Sequence, residues 1–187
     1  NATVDIAVDD ATICEDGSYE LEATTSETSS LLWTTTGDGS FSDNTAEDPT
    51  YYPGPSDAPS VTLTLTGQPV SPCDTEASDF MTLNIQVLPT VDAGSDATIC
   101  ENGSYTFNDA SASDHNGLTW SGGTGSFDNG DQLNATYNAG AGETGNVELT
   151  LTAAPINPCN TSVDDFMTLT INPLPELTDI TLQGAIA

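Results

Sequence analysis

The chain repeats itself at a spacing of 86 residues, and a fold that ignores this period cannot accommodate it. FMTLNI at 80–85 returns as FMTLTI at 166–171, ATICEDGSY at 11–19 as ATICENGSY at 97–105, and VTLTLT at 61–66 as VELTLT at 147–152. PVSPC at 69–73 is answered by PINPC at 155–159, and Leu88-Pro89 by Leu174-Pro175. Between these blocks the register slips by one residue and recovers: Trp33 matches Trp120, while Gly39, Ser40 and Phe41 match Gly125, Ser126 and Phe127. Slips of this kind belong in loops. The sequence therefore divides into two modules, 1–88 and 89–174, with 175–187 as a linker or the start of a following module. The join, LPTVDAG, is too short for a flexible linker and predicts modules docked end to end.

Within each unit apolar and polar residues alternate, as in Tyr19, Leu21, Ala23, then Val61, Leu63, Leu65, then Met81, Leu83, Ile85, Val87. A period of two is the signature of strands with one buried face. Gly37, Gly39, Pro53-Gly54 and Pro69 punctuate the gaps, and no stretch of ten residues has helical spacing. Seven or so short strands in each module predict an all-β protein, two tandem antiparallel immunoglobulin-like β-sandwiches. Trp33 and Trp120, flanked by Leu31 and Leu118, are expected early in a central strand as core residues of the two modules.

The 187 residues include 29 Asp and Glu, one His and neither Lys nor Arg, so internal salt bridges have almost no cationic partner. Such an anionic surface excludes nucleic acid and anionic lipid as partners. Acidic disordered chains lack periodic apolar residues, matched Trp and paired Cys, and this chain has all three. Its 29 Thr supply β-branched side chains suited to pleated, half-buried surfaces. No signal peptide and no run for membrane insertion is present, so the chain reads as an interior piece of a longer exported protein.

Cys14 and Cys73 recur as Cys100 and Cys159. Repetition argues for one disulfide per module, Cys14–Cys73 and Cys100–Cys159, each closing about 60 residues for about 4 kcal/mol in the chain-entropy model. Free Cys and pairing between modules are the alternatives. With no CxxC and a single His, a zinc site is disfavoured. Disulfides place the chain in an oxidising, extracytoplasmic compartment.

LLWTTTGDGSF followed by DPTYYPG and SVTLTLT resembles the polycystic-kidney-disease (PKD) type of immunoglobulin-like module. The second copy departs from that pattern, with GGTGSF for GDGSF and NAG for YPG. VDAGSDATIC, the Trp strand, GTGSF, a Cys after VELTLT, and FMTLTI before the LPxLP-like end are similar to PKD-like repeats of giant secreted Bacteroidota adhesins, including gliding-motility adhesins exported by the type IX system. The resemblance covers both modules. It implies an extracellular, cell-surface protein whose modules act as spacers and sometimes bind ligands.

Catalytic signals are weak. His115 aligns with Thr28 and Ser29 just before the Trp strand and reads as a solvated loop residue rather than a general base. GDG at 37–39 reads as a turn. The carboxylates raise a different question, since their mutual repulsion must be relieved by solvent cations, by shifted pKa values or by bound metal. Calcium, which takes carboxylate and carbonyl oxygens, is the candidate cofactor, although none is required. Acids common to the modules are Asp10 and Asp96, Glu15 and Glu101, and Asp79 and Asp165; Asp92 lies with Asp96 by the join. The candidate ligands are thus Asp92, Asp96, Glu101, Asp10 and Glu15, although no complete EF-hand spacing is present. Sequons at 1–3, 102–104, 134–136 and 160–162 permit N-glycosylation where the machinery exists.

The expected function is a non-catalytic stalk or filament segment of a long surface adhesin, with neighbouring repeats as partners. Two alternatives are a glycan- or protein-binding module, for which Tyr51, Tyr52 and Tyr137 should be exposed and clustered, and a self-assembling surface-layer subunit. In the latter the tail ELTDITLQGAIA, with Leu177, Ile180, Leu182 and Ile186, would add a strand to a neighbouring copy.

Overall fold

A computed structural model describes residues 1–176; the alternating tail at 177–187 lies outside them. The described residues form eighteen β-strands and no helix. In the first repeat these are β1 (Thr3–Ile6), β2 (Asp10–Cys14), β3 (Tyr19–Glu20), β4 (Ala23–Ser26), β5 (Thr28–Thr35), β6 (Ser40–Phe41), β7 (Thr50–Tyr52), β8 (Ser60–Pro69) and β9 (Ala77–Gln86). The second repeat gives β10 (Thr90–Asp92), β11 (Ala97–Cys100), β12 (Ser104–Thr106), β13 (Ser111–Ser113), β14 (His115–Gly122), β15 (Ser126–Asp128), β16 (Thr136–Asn138), β17 (Gly145–Pro155) and β18 (Val163–Asn172).

Each repeat builds the same layers. One is a four-stranded sheet, ordered β2-β9-β8-β5 in the first repeat and β11-β18-β17-β14 in the second. Opposing it are a three-stranded sheet, β3-β7-β6 or β12-β16-β15, and a strand pair, β1-β4 or β10-β13. The sandwich is immunoglobulin-like, with one departure from the antiparallel expectation. The first strand of each repeat changes sheets partway: β1 pairs antiparallel with β4, and after a short break β2 runs parallel to β9, as β11 does to β18.

Alternation explains the layers. On β8 and β9 the facing pairs Val61–Leu83 and Leu63–Met81 point into the core, while Thr62–Thr82 and Thr64–Phe80 point out. The inward set recurs 86 residues on as Val147, Leu149, Leu151, Met167, Leu169 and Ile171. Outward Thr residues face one another across the strands, which is where the abundant Thr is used.

Trp33 and Trp120 are core residues at 1% and 4% exposure, but β5 and β14 are edge strands, not central ones. An edge leaves backbone donors without a ladder partner. A loop covers this one: Trp33 N donates to Asn44 O and its indole Nε1 to Ala46 O, and Trp120 repeats this with Gly130 O and Gln132 O. The register slip also acquires a structural place. The extra residue of the second repeat lies between Phe107 and Ala110, and the turn residues Glu27 and Asp114, both at positive φ, are 87 apart. The register recovers between β14 and β15, where Gly122 and Gly123, at φ 108° and 63°, make a turn shorter by one residue.

The chain falls into two compact units. One holds Asn1–Thr90 with Asp114–Asn116 and Ala154–Val163; the other holds Val91–Ser113, Gly117–Ala153 and the described residues from Asp164. The division therefore comes two residues after the 88/89 boundary expected from the repeat, and two short pieces of the second repeat group with the first unit.

Candidate functional site

The GDG stretch is more than a turn. Tyr51, on β7 and fully buried, donates its hydroxyl hydrogen to Asp57 Oδ2 at 2.7 Å. Asp57 is 1% exposed, and its carboxylate also accepts Asp38 N at 2.8 Å and Gly54 N at 2.8 Å. Thr35 Oγ1 lies 3.0 Å from the Tyr51 hydroxyl and accepts Gly37 N. A buried carboxylate without a cation must be satisfied by neutral donors, and backbone N–H groups and a phenol do this here. Burial alone would raise the Asp57 carboxyl, but hydrogen bonds from Tyr51, Gly54, Asp38 and Gly39 outweigh it and hold the group below the usual carboxylate range. Burial, with the Asp57 carboxylate beside it, pushes the Tyr51 phenol up to about 12.

The second repeat contains the same clasp with a longer acid. Tyr137 donates to Glu143 Oε2 at 2.6 Å, and Glu143 accepts Thr124 N at 2.7 Å and Gly140 N at 2.9 Å. Burial again opposes ionisation of Glu143, and the bonds from Tyr137, Thr124 and Gly140 again leave its carboxyl below the ordinary value. Gly37 and Gly39 recur as Gly123 and Gly125 because the clasp fills the space a side chain would take. A Cβ on Gly37 would strike Asp57 Oδ1, and one on Gly39 or Gly123 would strike the tyrosine hydroxyl. The pair Asp57 and Glu143 was legible at the 86-residue spacing, yet is absent from the candidate acids.

Most of the candidate acids tie strands to connections. Glu15 Oε1 accepts Leu88 N and Glu101 Oε2 accepts Leu174 N, joining the end of the parallel strand to the chain leaving the module. Asp79 Oδ2 accepts Ile6 N, and Asp165 Oδ2 accepts Ala93 N, where the first strand changes sheets. Asp96 accepts Thr168 N at 2.7 Å, and Asp92 accepts Gly94 N. Asp10 opens β2 on an exposed position. The five candidate ligands are not brought together: among the described residues no three His, Cys, Asp or Glu side chains form a group able to hold a metal ion.

The disulfide is Cys14–Cys159, with Cα atoms 4.8 Å apart, while Cys73 and Cys100 are free and exposed. This corrects the expected Cys14–Cys73 and Cys100–Cys159 pairs, and the strand register gives the reason. Cys14 pairs with Gln86, the last residue of β9, whereas Cys73 lies four residues before its first, Ala77. Ten residues of strand put roughly 30 Å between those ends, far beyond the reach of a disulfide. Cys100, opposite Asn172 at the end of β18, is separated in the same way from Cys159, which precedes Val163. Cys14 and Cys159 both belong to the first compact unit, where Cys159 Sγ lies 3.3 Å from Gln86 O.

Tyr51 and Tyr137 are buried and only Tyr52 is exposed, so they do not form the solvent-facing cluster that a sugar-binding face requires. His115 begins β14 and does not sit in a loop; its Nδ1 is buried and makes no hydrogen bond. Depressions beside Glu20, Glu22 and Met81, and beside Asp5, Glu22 and Asp48, are rimmed by acids. No helix long and apolar enough to cross a membrane occurs among the described residues.

No protein-family model matches the chain, and no curated protein matches it. Similar solved structures include extracellular cadherin domains 3–6 of protocadherin gamma B2, at TM-score 0.46 and 14% identity over 93% of this chain and 53% of that one. Domains EC1–3 of protocadherin gamma C5 give TM-score 0.45 and 14% identity over 92% of this chain and 68% of that one. The extracellular domain of protocadherin gammaB4 gives 0.44 and 18% over 91% and 33%. The chain spans about half the length of the first of these structures.

Proposed function

We propose that the chain is a non-catalytic structural repeat segment, a stalk or filament piece of a long extracellular surface adhesin. The observation that carries this reading is the Cys14–Cys159 bond, which joins one repeat covalently to the next across 145 residues. Its support is architectural: repeated sandwiches and carboxylates committed to backbone N–H groups. The bond fits an oxidising, extracytoplasmic setting. A chain without Lys or Arg also offers trypsin-like proteases no cleavage site.

Single-molecule stretching tests the reading. A load-bearing segment keeps the chain between residues 14 and 159 withheld while oxidised, and reduction releases those 145 residues, about 500 Å of extra extension. Extension of the oxidised chain as a structureless coil overturns the proposal. Saturable capture of an oligosaccharide by the folded chain replaces it with the binding-module reading.

A further inference from the structure

The bridge leaves one thiol of each kind unused. Cys100 is the second-repeat counterpart of Cys14, and Cys73 the first-repeat counterpart of Cys159, each 86 residues away. The bonded pair is buried, at 8% and 6% exposure, whereas the two counterparts are exposed.

Their backbone settings match those of the bonded pair. Cys14 ends a strand parallel to β9, and Cys100 ends one parallel to β18. In both places the next residue's N–H donates to the last residue of the long strand, Glu15 to Gln86 and Glu101 to Asn172, and a glycine N–H closes onto the cysteine carbonyl. Cys73 N donates to Val70 O as Cys159 N donates to Ile156 O. Each half of a second bridge is therefore already shaped, and a second copy of this chain carries the half that completes it.

We infer that Cys100 of one chain forms a disulfide with Cys73 of a second copy, reproducing the Cys14–Cys159 bond between chains. The two halves differ, so the contact is heterologous: each copy accepts at one thiol and offers the other, and the series closes into a ring or runs on as an open filament according to the rotation at each contact. The chemistry is two-step exchange with a small-molecule disulfide. One thiolate attacks the small disulfide to give a mixed disulfide and one released thiol; the second protein thiolate then displaces the remaining small thiol. Two protein thiols and one small disulfide become one protein disulfide and two small thiols. The inference goes beyond the stalk reading and stands on the bridge and its counterparts, so its failure leaves that reading in place.

The test mixes the Cys73→Ser chain, which keeps Cys100, with an equimolar isotopically labelled Cys100→Ser chain, which keeps Cys73. A buffer of oxidised and reduced glutathione supplies the exchange, and salt screens the acids. Mass spectrometry counts the dimers, and a Glu-specific protease locates the bonds. The mixed dimer should exceed either same-variant dimer at least about tenfold, which requires only ~1.4 kcal/mol of matched contact. The wild-type chain should give a ladder of oligomers linked Cys73–Cys100. A mixed dimer only twice as abundant as each same-variant dimer is random collision and overturns the inference. So does absence of dimers, or a Cys73–Cys100 bond within one chain.

Discussion

Tyr51 donates its hydroxyl hydrogen to Asp57, six residues later, and Tyr137 does the same to Glu143. The two acids differ by a methylene, yet each accepts the glycine N–H three residues before it, Gly54 or Gly140, and the N–H in the middle of the facing turn, Asp38 or Thr124. The middle residue of GDG can therefore change to Thr, because its backbone makes the contact and the flanking glycines make the room. A chain without Lys or Arg can bury a carboxylate by this means and lock the loop between β7 and β8 onto the turn between β5 and β6.

Replacing Asp57 by Ala removes the acceptor and leaves the Tyr51 hydroxyl and the N–H groups of Asp38 and Gly54 without it. Hydrogen bonds to charged groups contribute about 1.5–3 kcal/mol, so Asp57→Ala should destabilise by about 3 kcal/mol and Tyr51→Phe by about 1–2. Urea denaturation of the single and double variants should give non-additive losses, since both remove the same bond.

The pH dependence has a definite sign on each side. The Asp57 and Glu143 carboxyls sit below their ordinary values in the folded state, so their contribution is present above the unfolded pKa and is lost as pH falls through the folded one. Stability should therefore decline below about pH 4, and Asp57→Asn should flatten that decline. Tyr51 is raised to about 12, so the folded chain holds this proton more tightly than the unfolded chain. That contribution, roughly 2–3 kcal/mol, is full below pH ~10 and lost between ~10 and ~12. Tyr51→Phe should reduce the alkaline decline in urea titrations across that range, and the raised Tyr137 phenol should supply part of what remains.

Much of this architecture was legible because the repeat and the two-residue alternation report local structure. FMTLNI and FMTLTI are indeed the long strands β9 and β18, and Trp33 and Trp120 pack where matched aromatics should. Sequence spacing did not report which ends of the strands meet. Cys14 and Cys73 recur as a pair, and only the parallel register of β2 on β9 separates them by a strand length. The acids were visible but uninformative as a set, since abundance masks the one pair, Asp57 and Glu143, that is matched at the repeat spacing and contacted by a tyrosine. Phe80 and Phe166, at 63% and 57% exposure, take outward positions of the same alternating motif, where apolar character alone points inward.

Reduction should lower stability even though the core is untouched. Closing a loop of 145 residues contributes about 5 kcal/mol in the chain-entropy model, and measured disulfides more often give 2–4. Calorimetry with and without reductant should record a Tm loss of roughly 10–20 °C in the first compact unit. Cys14→Ser should match the reduced wild type. Cys73→Ser and Cys100→Ser should leave the monomer's Tm unchanged.

Salt should stabilise the chain because 29 acids repel one another without basic partners. Raising sodium chloride shortens the screening length from about 10 Å at 0.1 M to 3 Å at 1 M, and Tm should rise across that range. Calcium chloride at matched ionic strength tests whether Asp92, Asp96, Glu101, Asp10 and Glu15 act as ligands. Asp92, Asp96 and Glu101 already accept backbone N–H groups, so the expected calcium response is no larger than ordinary screening. A calcium-specific increment abolished by Asp96→Asn would instead establish a bound ion.

A pair of glycine substitutions separates the clasp from general loop tolerance. A Cβ on Gly123 would meet the Tyr137 hydroxyl, and the residue sits at φ 63°, so Gly123→Ala carries both a steric and a backbone penalty. Gly117, on β14, has open space where a Cβ would go and no positive φ. Overpacking costs about 1–3 kcal/mol, whereas Ala in place of an unstrained Gly stabilises by about 0.4–1 through the unfolded state. Gly123→Ala should therefore lower the urea midpoint and displace the Tyr137–Glu143 bond, visible as a lowered phenol pKa in alkaline absorbance titration. Gly117→Ala should leave that titration unchanged and keep or raise the midpoint. Equal losses from the two would mean that the turn glycines serve chain flexibility and not the fit of the tyrosine hydroxyl.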